Sequence, residues 1–448
     1  MAPVQKEWME CGEPDFDCSD ADLADWWTVF NDPKLTELIE TAKCQNLNLK
    51  TAAFRVVASR YLLAITVGEW FPQLQELVGD ATRTGISRNA PNTLFADRFF
   101  WNFNLGLLTS WEIDFWGKFQ RGIESASDDL WASYYNYNDV LVILLADVAS
   151  SYISIRTLEE RIQILKHNIK IQARSLEIVE ARWQAGVVTE LDVQQARTLL
   201  SATRARLPAL EADLRVAKNG LSVLLGAAPG DMDYYLDEPG TIPEAPKNIV
   251  VGIPAQILCR RPDIRQSLYE AAAQSARIGV ATAELYPAIS ISGFIGLESS
   301  ADTMSTASGG GGSLFSTDSF NYFFSPSFAW KIFNYGRLRN RVSFEYSVFC
   351  QRMISYQNTV LLAYREVEDG LITFIKTQDE ADLLAKSVSS AQRAAELARN
   401  QYVEGLDDYT RVLETDRTLV DQEEQHAISR GNIALSLIRT YRALGGGW

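Results

Sequence analysis

From Gly117 to Ala185 the chain contains no proline and places apolar side chains at Leu141, Leu145, Val148, Tyr152, Ile155, Ile162, Leu165, Ile169, Leu176, Val179 and Trp183, spaced by threes, fours and sevens. Such spacing is the seam of a helix that packs along its whole length. Displaced by 219 residues, the stripe returns as Val360, Tyr364, Val367, Leu371, Phe374, Ala381, Leu384, Val388, Ala395, Ala398 and Tyr402, with smaller side chains toward its end. Each stripe predicts a rod of roughly 100 Å at ~1.5 Å per residue. Gly186 and Gly405 end the rods, and Asp/Thr-rich restarts follow at Thr189–Asp192 and Asp407–Thr410, so each reads as a helical hairpin. The return helices run to about Leu225 and Leu444, and Pro208 should kink the first.

Before each rod the period changes to two. Trp101, Phe103, Leu105, Leu107 and Trp111 alternate with Asn102, Asn104, Gly106, Leu108 and Ser110, and Phe320, Tyr322, Phe324, Phe328 and Trp330 repeat the phase. Ile289, Ile291, Ile295 and Leu297 alternate with Ser290, Ser292 and Gly296. The equivalent stretch after Pro72 is poorer: Leu74 and Val78 fit an apolar face on which Glu76 would also fall, so repeat symmetry carries that strand. Turn-rich loops at 82–98 and 298–319 join each pair.

The chain is written twice. Trp111-Glu-Ile-Asp-Phe-Trp-Gly-Lys118 returns as Trp330-Lys-Ile-Phe-Asn-Tyr-Gly-Arg337, and upstream an offset of 215 lays Cys44 on Cys259 and Phe71-Pro72 on Tyr286-Pro287. A period this long means two tandem half-molecules. The prolines Pro229, Pro239, Pro243 and Pro246 mark a connector between them, after which Pro254 is placed to open a helix running through Arg277 to about Leu285. Near the amino end Asp32 and Pro33 read as cap and first residue of a helix.

The 448 residues carry a formal charge of −15, which disfavours a nucleic-acid partner. Two histidines and five scattered cysteines offer no metal site, no cofactor is implied, and a Cys11–Cys18 bridge is the one local pairing the spacing allows. Phosphate loops, HExxH motifs and nucleophile elbows are absent, so no enzyme is expected. No run of about 18 uninterrupted apolar residues exists, so a membrane would be crossed by strands. Four strands cannot close a barrel, and open edges in lipid would leave backbone groups unpaired, so closure requires several chains. The alternative is a soluble coiled-coil scaffold whose aromatics are simply buried. The first residues lack an apolar h-region; a secretory signal is therefore either absent or removed.

The arrangement resembles the outer-membrane factor family, the TolC-like channels of tripartite efflux and secretion systems, over nearly the whole chain. The specific run is Gly252-Ile-Pro-Ala-Gln-Ile-Leu-Cys-Arg-Arg-Pro-Asp-Ile264, with Ala276-Arg-Ile-Gly-Val-Ala281, Trp26-Trp27 through Pro33, Ser110–Gly117, Leu191-Asp-Val193 and Glu404-Gly-Leu-Asp-Asp-Tyr409. Many members begin the mature chain with a lipidated cysteine, but Cys11 follows Lys-Glu-Trp-Met-Glu, without the small apolar lead-in. The resemblance implies a mainly α fold with a membrane β-barrel: a homotrimer sharing one barrel, four strands per chain, over a periplasmic α-barrel. Its parts would be an extended segment at 1–33, equatorial helices and connector at 34–71 and 226–285, membrane hairpins at 72–116 and 286–335, and periplasmic helical hairpins at 117–225 and 336–445.

The function implied is a passive exit channel of a tripartite efflux pump for small molecules. It would work with a periplasmic adaptor (membrane fusion) protein and an inner-membrane transporter of the RND type, in contact with outer-membrane lipid. A polypeptide secretion conduit is the alternative within the family. By position the resemblance assigns Asp407, Asp408, Tyr409, Arg411 and Glu414 to a pore constriction at the periplasmic tip, and Gly186, Val187, Thr189, Asp192, Gly405 and Leu406 to the adaptor-contacting tip. A threefold ring of carboxylates there would favour cations. Read from the residues alone, Asp192, Asp407 and Asp408 are also ordinary helix-start residues.

Overall fold

A computed structural model describes residues 8–9, 16–17, 23–89, 98–230, 235–236, 239–246, 249–250, 260–301 and 313–448. The Cys11 and Cys18 pair that the spacing allows, Pro254, most of the 252–264 run and most of the glycine-rich loop lie outside these residues. Seven helices among the described residues are α1 (Pro33–Gln45), α2 (Leu47–Gly68), α3 (Lys118–Gln184), α4 (Glu190–Leu224), α5 (Pro262–Ala283), α6 (Arg337–Glu404) and α7 (Tyr409–Ala443). The strands are β1 (Phe16–Asp17), β2 (Leu74–Gly85), β3 (Phe99–Ile113), β4 (Ile249–Val250), β5 (Ala288–Ala301) and β6 (Phe320–Ala329). β1 and β4 pair in parallel. The long helices α3 and α6 span 67 and 68 residues and end at the glycines the sequence marks. Helix α4 is continuous through Pro208.

The chain divides into two compact units. The first comprises 1–55, 134–266 and 356–448; the second comprises 56–133 and 267–355. In the first unit, α1 is capped as its sequence requires: the Asp32 carboxylate accepts from the backbone N–H groups of Lys34 (2.9 Å) and Leu35 (3.3 Å), with Pro33 at the first helical position. Its second oxygen accepts from the Tyr152 hydroxyl at 2.6 Å, which ties the cap to α3. One continuous core follows: Trp26, Trp27, Leu35 and Ile39 pack with Leu145, Val148 and Tyr152 of α3, Leu221 of α4, Val367, Leu371 and Phe374 of α6, and Leu437 and Leu444 at the end of α7. Both copies of the predicted seam therefore enter the same core, where Val148 and its equivalent Val367 are each fully buried.

The second unit holds an antiparallel four-stranded sheet ordered β2-β3-β5-β6. Residues directly opposite one another share a face. Trp101, Phe103, Leu105, Leu107 and Trp111 therefore face the same way as Ile289, Ile291, Ile295 and Leu297, and as Phe320, Tyr322, Phe324 and Phe328. For β2 the register corrects the sequence reading. Glu76 is paired with Leu108, Val78 with Gly106 and Asp80 with Asn104, so Leu74, Glu76 and Val78 belong to the polar face, and Leu77, Gly79 and Ala81 to the apolar one. Backbone pairing with β3 fixes that phase, and β2 has too few large side chains to declare it.

Helix α5 spans Pro262–Ala283, and the residues around Pro254, where the sequence places a helix start, lie outside the described ones. Helix α2 combines an 18-residue window of mean hydropathy 1.2 with only 6% of that window buried, so the absence of an uninterrupted apolar run did not exclude a long apolar exposed helix. Phe54, Tyr61, Leu62 and Ile65 lie on it, each at least 60% exposed.

Candidate functional site: hairpin tips and the polar face of the sheet

Both hairpin turns belong to the first unit and are built alike. The last turn of α3 closes with the Gly186 N–H donating to Trp183 O and the Val187 N–H to Arg182 O, each 2.9 Å; that of α6 closes with Gly405 to Tyr402 O (3.1 Å) and Leu406 to Gln401 O (2.8 Å). Gly186 and Gly405 hold φ of +74° and +76°, the left-handed conformation that ends helices and favours glycine. Val187 and Leu406 then stand exposed at the two ends.

The carboxylates differ in what they do. At the first turn the Asp192 carboxylate accepts from both the backbone N–H and the hydroxyl of Thr189 at 2.9 Å, so both residues serve the start of α4. At the second, Asp408 caps α7 by accepting from the Arg411 N–H at 3.4 Å, and Asp407 forms an ion pair with the Arg411 guanidinium at 2.6 Å. Glu414 is exposed and makes no ion pair among the described residues. Of the expected constriction residues it alone presents a carboxylate that neither caps nor pairs.

Tyr409 is buried within the chain. Its ring is buried in a cluster of Val179, Val193, Ala196, Ala398, Tyr402 and Val412 drawn from all four hairpin helices, with the Tyr402 ring edge-on at 5.3 Å. Burial first, and the nearby Asp416 second, push the Tyr409 hydroxyl above its usual pKa. Tyr409 packs the joint between the hairpins.

Two tethers were not read from the sequence. Arg182, in the last turn of α3, donates to the carbonyl oxygen of Tyr402 on α6 and places its guanidinium over the Tyr402 ring, 4.7 Å from the centroid. Arg399 of α6 donates from Nε (3.0 Å) and Nη2 (2.6 Å) to one oxygen of Asp416 on α7. Asp416 is 2% exposed and its other oxygen has no hydrogen-bond partner among the described residues, so burial raises its pKa against the opposing pull of Arg399. The available signal was phase: Asp416 lies four residues after Val412 and four before Val420, a carboxylate on the buried stripe. Farther along the hairpins, Arg206 pairs with Asp421 (2.9 Å) and Arg430 with Glu160 (2.7 Å).

In the second unit the polar face of the sheet is laced across strands. Asn104 donates to Asp80 (3.2 Å), Asn321 donates to Glu298, and the hydroxyl pairs Ser110–Ser292 and Ser290–Ser327 lie 3.4 and 3.0 Å apart. The opposite face carries the exposed Leu77, Leu107, Ile295, Tyr322, Phe324 and Phe328. The polar face also holds Leu108, Phe294 and the exposed Phe323, so it is mixed, whereas the opposite face is apolar nearly throughout and suits hydrocarbon.

Known proteins share this organisation. The family described as "Outer membrane efflux protein" matches residues 38–227 and 253–446. Nodulation protein T of Rhizobium leguminosarum bv. trifolii is 30% identical over 89% of this chain and 83% of its own length. The toluene efflux pump outer membrane protein TtgF of Pseudomonas putida is 30% identical over 96% and 86% respectively. The pyoverdine export outer membrane protein OpmQ of Pseudomonas aeruginosa is 29% identical over 100% and 91%. Among solved structures, the outer-membrane channel OprN superposes with a TM-score of 0.92 at 29% identity, covering 100% of this chain and 98% of that one. The match decides between channel and soluble scaffold in favour of the channel. The chain belongs to the outer membrane efflux protein family, and is an efflux channel protein of the bacterial outer membrane.

Proposed function

We propose that three copies of this chain form one continuous outer-membrane exit duct, closed at its periplasmic end by the second hairpin and opened by an adaptor that moves it. The observation that carries this reading is the sheet. One face carries the Trp, Phe, Ile and Leu alternation and the other nearly all the polar side chains, with Leu108, Phe294 and Phe323 among them, while the outer edges of β2 and β6 have no strand partner among the described residues. Pro326, in β6, lacks the N–H that a central strand would use. In hydrocarbon the edge groups must still be paired, which further copies can do by closing a barrel with the polar face inward. The exposed apolar face of α2 supplies a second surface for the same neighbours.

The gate assignment rests on the tip. Arg182 and the Arg399–Asp416 pair hold α6 and α7 in place, Tyr409 packs behind them, and Glu414 offers a carboxylate that three copies would repeat around an axis, favouring cations. Asp407 contributes less, because Arg411 neutralises it. The exposed Val187 and Leu406 beside Gly186 and Gly405 form the apolar contact for a periplasmic adaptor (membrane fusion) protein, behind which an inner-membrane transporter of the RND type supplies the energy. Pyoverdine and toluene, named for two relatives, are both small, which supports small organic solutes as cargo.

The test is the mass of the detergent-purified protein together with its conductance in a planar bilayer. A trimer giving small, cation-favouring currents is expected. A species that neither inserts nor conducts, under conditions that fold other outer-membrane barrels, would overturn the proposal.

A further inference from the structure

The two halves differ in charge where strand gives way to long helix. The first copy of that turn, Trp111–Gly122, carries Glu112 and Asp114 against Lys118 and Arg121, and has no net charge. The second, Trp330–Arg341, carries Lys331, Arg337, Arg339 and Arg341 and no acid, a charge of +4 within a chain of −15. At equivalent places Glu112 has become Lys331, Asp114 has become Phe333, Gln120 has become Arg339 and Gly122 has become Arg341.

The first turn is internally satisfied. Lys118 pairs with Glu112 at 3.0 Å, the Trp116 N–H donates to Pro287 O at 2.8 Å, and the Trp116 ring stacks on Tyr286 at 4.7 Å. The second turn is open. Arg341 pairs with Glu345 at 2.7 Å, but Arg337 and Arg339 are exposed without an ion pair among the described residues. Lys331 also makes no ion pair there, although it shares a small neighbouring cavity with Glu112, Asp114 and Glu284. Beside these cations lies a cavity of about 590 Å³ lined by Tyr286, Trp330, Lys331, Phe333, Tyr335 and Arg339, among others. Phe333 is 88% exposed and Tyr335 fully exposed, with Tyr335 at φ +49°, a left-handed conformation that is uncommon for a bulky residue. Exposed aromatics next to unpaired cations, immediately after a membrane strand, match the boundary between hydrocarbon and charged headgroups.

We propose that the Trp330–Arg339 turn is a binding site for an anionic phospholipid of the periplasmic leaflet. Lys331, Arg337 and Arg339 receive the phosphate, and Trp330, Phe333 and Tyr335 lie against the glycerol and upper acyl chain. The first-half turn has no such site, so each chain holds one. Charge complementarity and continuity with β6 favour lipid over another protein surface. The inference rests on the outer-membrane reading above.

Native mass spectrometry of the intact detergent-solubilised protein, with phosphatidylglycerol or phosphatidylcholine added, tests it. Phosphatidylglycerol should remain bound, about one per chain, with at least about tenfold preference over phosphatidylcholine. The triple variant Lys331→Gln/Arg337→Gln/Arg339→Gln should lose that preference, while Arg121→Gln in the first turn should keep it. About 1 kcal/mol per basic residue near an anionic surface sets this scale. Equal retention of the two lipids by the wild-type protein would overturn the proposal without relying on any variant. So would persistence of the preference in the triple variant, as expected if a neighbouring copy covers the turn, or displacement of the lipid by millimolar inorganic phosphate, which would make the site one for free phosphate. Bilayer conductance of the same preparation separates the two readings: a conducting protein with no lipid preference defeats only this inference, and a non-inserting one defeats the channel itself.

Discussion

The two helical hairpins share a plan but not a packing density near their tips. In the first, the descending seam is Ile162, Leu165, Leu176 and Val179; at the matching places the second has Ala381, Leu384, Ala395 and Ala398. Ile162 and Val179 are buried, and so are their alanine equivalents Ala381 and Ala398, so the difference is lost apolar volume at positions still in contact. At about 0.8 kcal/mol per buried methylene, the second hairpin gives up several kcal/mol of adhesion near its tip. Polar contacts supplement it: Arg399 ties α6 to α7 through Asp416, and Arg182 and Arg206 of the first hairpin reach Tyr402 and Asp421 of the second, while the first hairpin has a pair of its own, Arg197 with Glu180 at 2.8 Å. A hairpin that keeps more apolar contact resists movement, whereas one that leans more on a few directional contacts is easier to release by a partner that competes for them. The unequal packing of the two copies is what the proposed gate would use to move the second hairpin and not the first.

The largest effect should come from breaking what the copies share. Val148→Glu or Val367→Glu would bury an unpaired carboxylate in the common core, at a cost of several kcal/mol. Both should abolish folded, assembled protein by size-exclusion and circular dichroism, while glutamate at the exposed Gln163 should leave assembly intact. Next is Arg399→Ala, which strands the buried Asp416. A loss of about 2–3 kcal/mol is expected, below the full range for buried pairs because Arg399 is partly exposed. It should appear as faster hydrogen exchange in the second hairpin and not the first.

A smaller effect converts one copy toward the other. Asp139 of α3 corresponds to Asn358 of α6. Burial, and then the nearby Asp263, raise the Asp139 carboxyl to about 6 against the pull of Arg261 and Arg442, with Glu366 adding repulsion. Because the folded pKa lies above the unfolded one, the stability this group contributes is complete below about pH 4 and is lost as pH rises through about 6. Asp139→Asn should therefore stabilise the protein by about 1–2 kcal/mol at pH 7.5, allowing for partial solvent screening, and leave it unchanged near pH 4, as thermal melts at the two pH values would show. The smallest effect on folding, and one confined to conduction, belongs to Glu414→Gln with Asp407→Asn. Stability should stay within about 0.5 kcal/mol, while cation preference in bilayer recordings falls, mostly through Glu414. Unchanged selectivity would remove the carboxylate ring.

Much of this was legible from the chain alone. Periodicity located both long helices and both return helices, because a seam buried over its whole length writes itself in side-chain type. Three strands were readable for the same reason, their apolar face carrying Trp, Phe, Ile and Leu. The phase of β2 was not, since its apolar face offers only Leu77 beside the small Gly79 and Ala81, and pairing with β3 decides the register. Asp192, Asp407 and Asp408 were ambiguous between cap and pore; cap geometry and the Arg411 pair now account for their carboxylates, and Glu414 stands apart. Arg182 and Asp416 escaped notice because their partners, Tyr402 and Arg399, lie on another helix. A heptad pattern reports which side of a helix is buried and is silent about which polar group across the seam will meet it.

The central claim is that directional contacts at the tip hold the second hairpin closed. The most direct measurement is single-channel conductance of the purified protein in a planar bilayer, wild type against Arg182→Gln. The account predicts small currents for the wild-type channel and severalfold larger ones once the Arg182 tether to Tyr402 is removed, with the oligomeric mass unchanged. Equal conductance in an intact trimer would contradict it, and would place the constriction elsewhere in the duct.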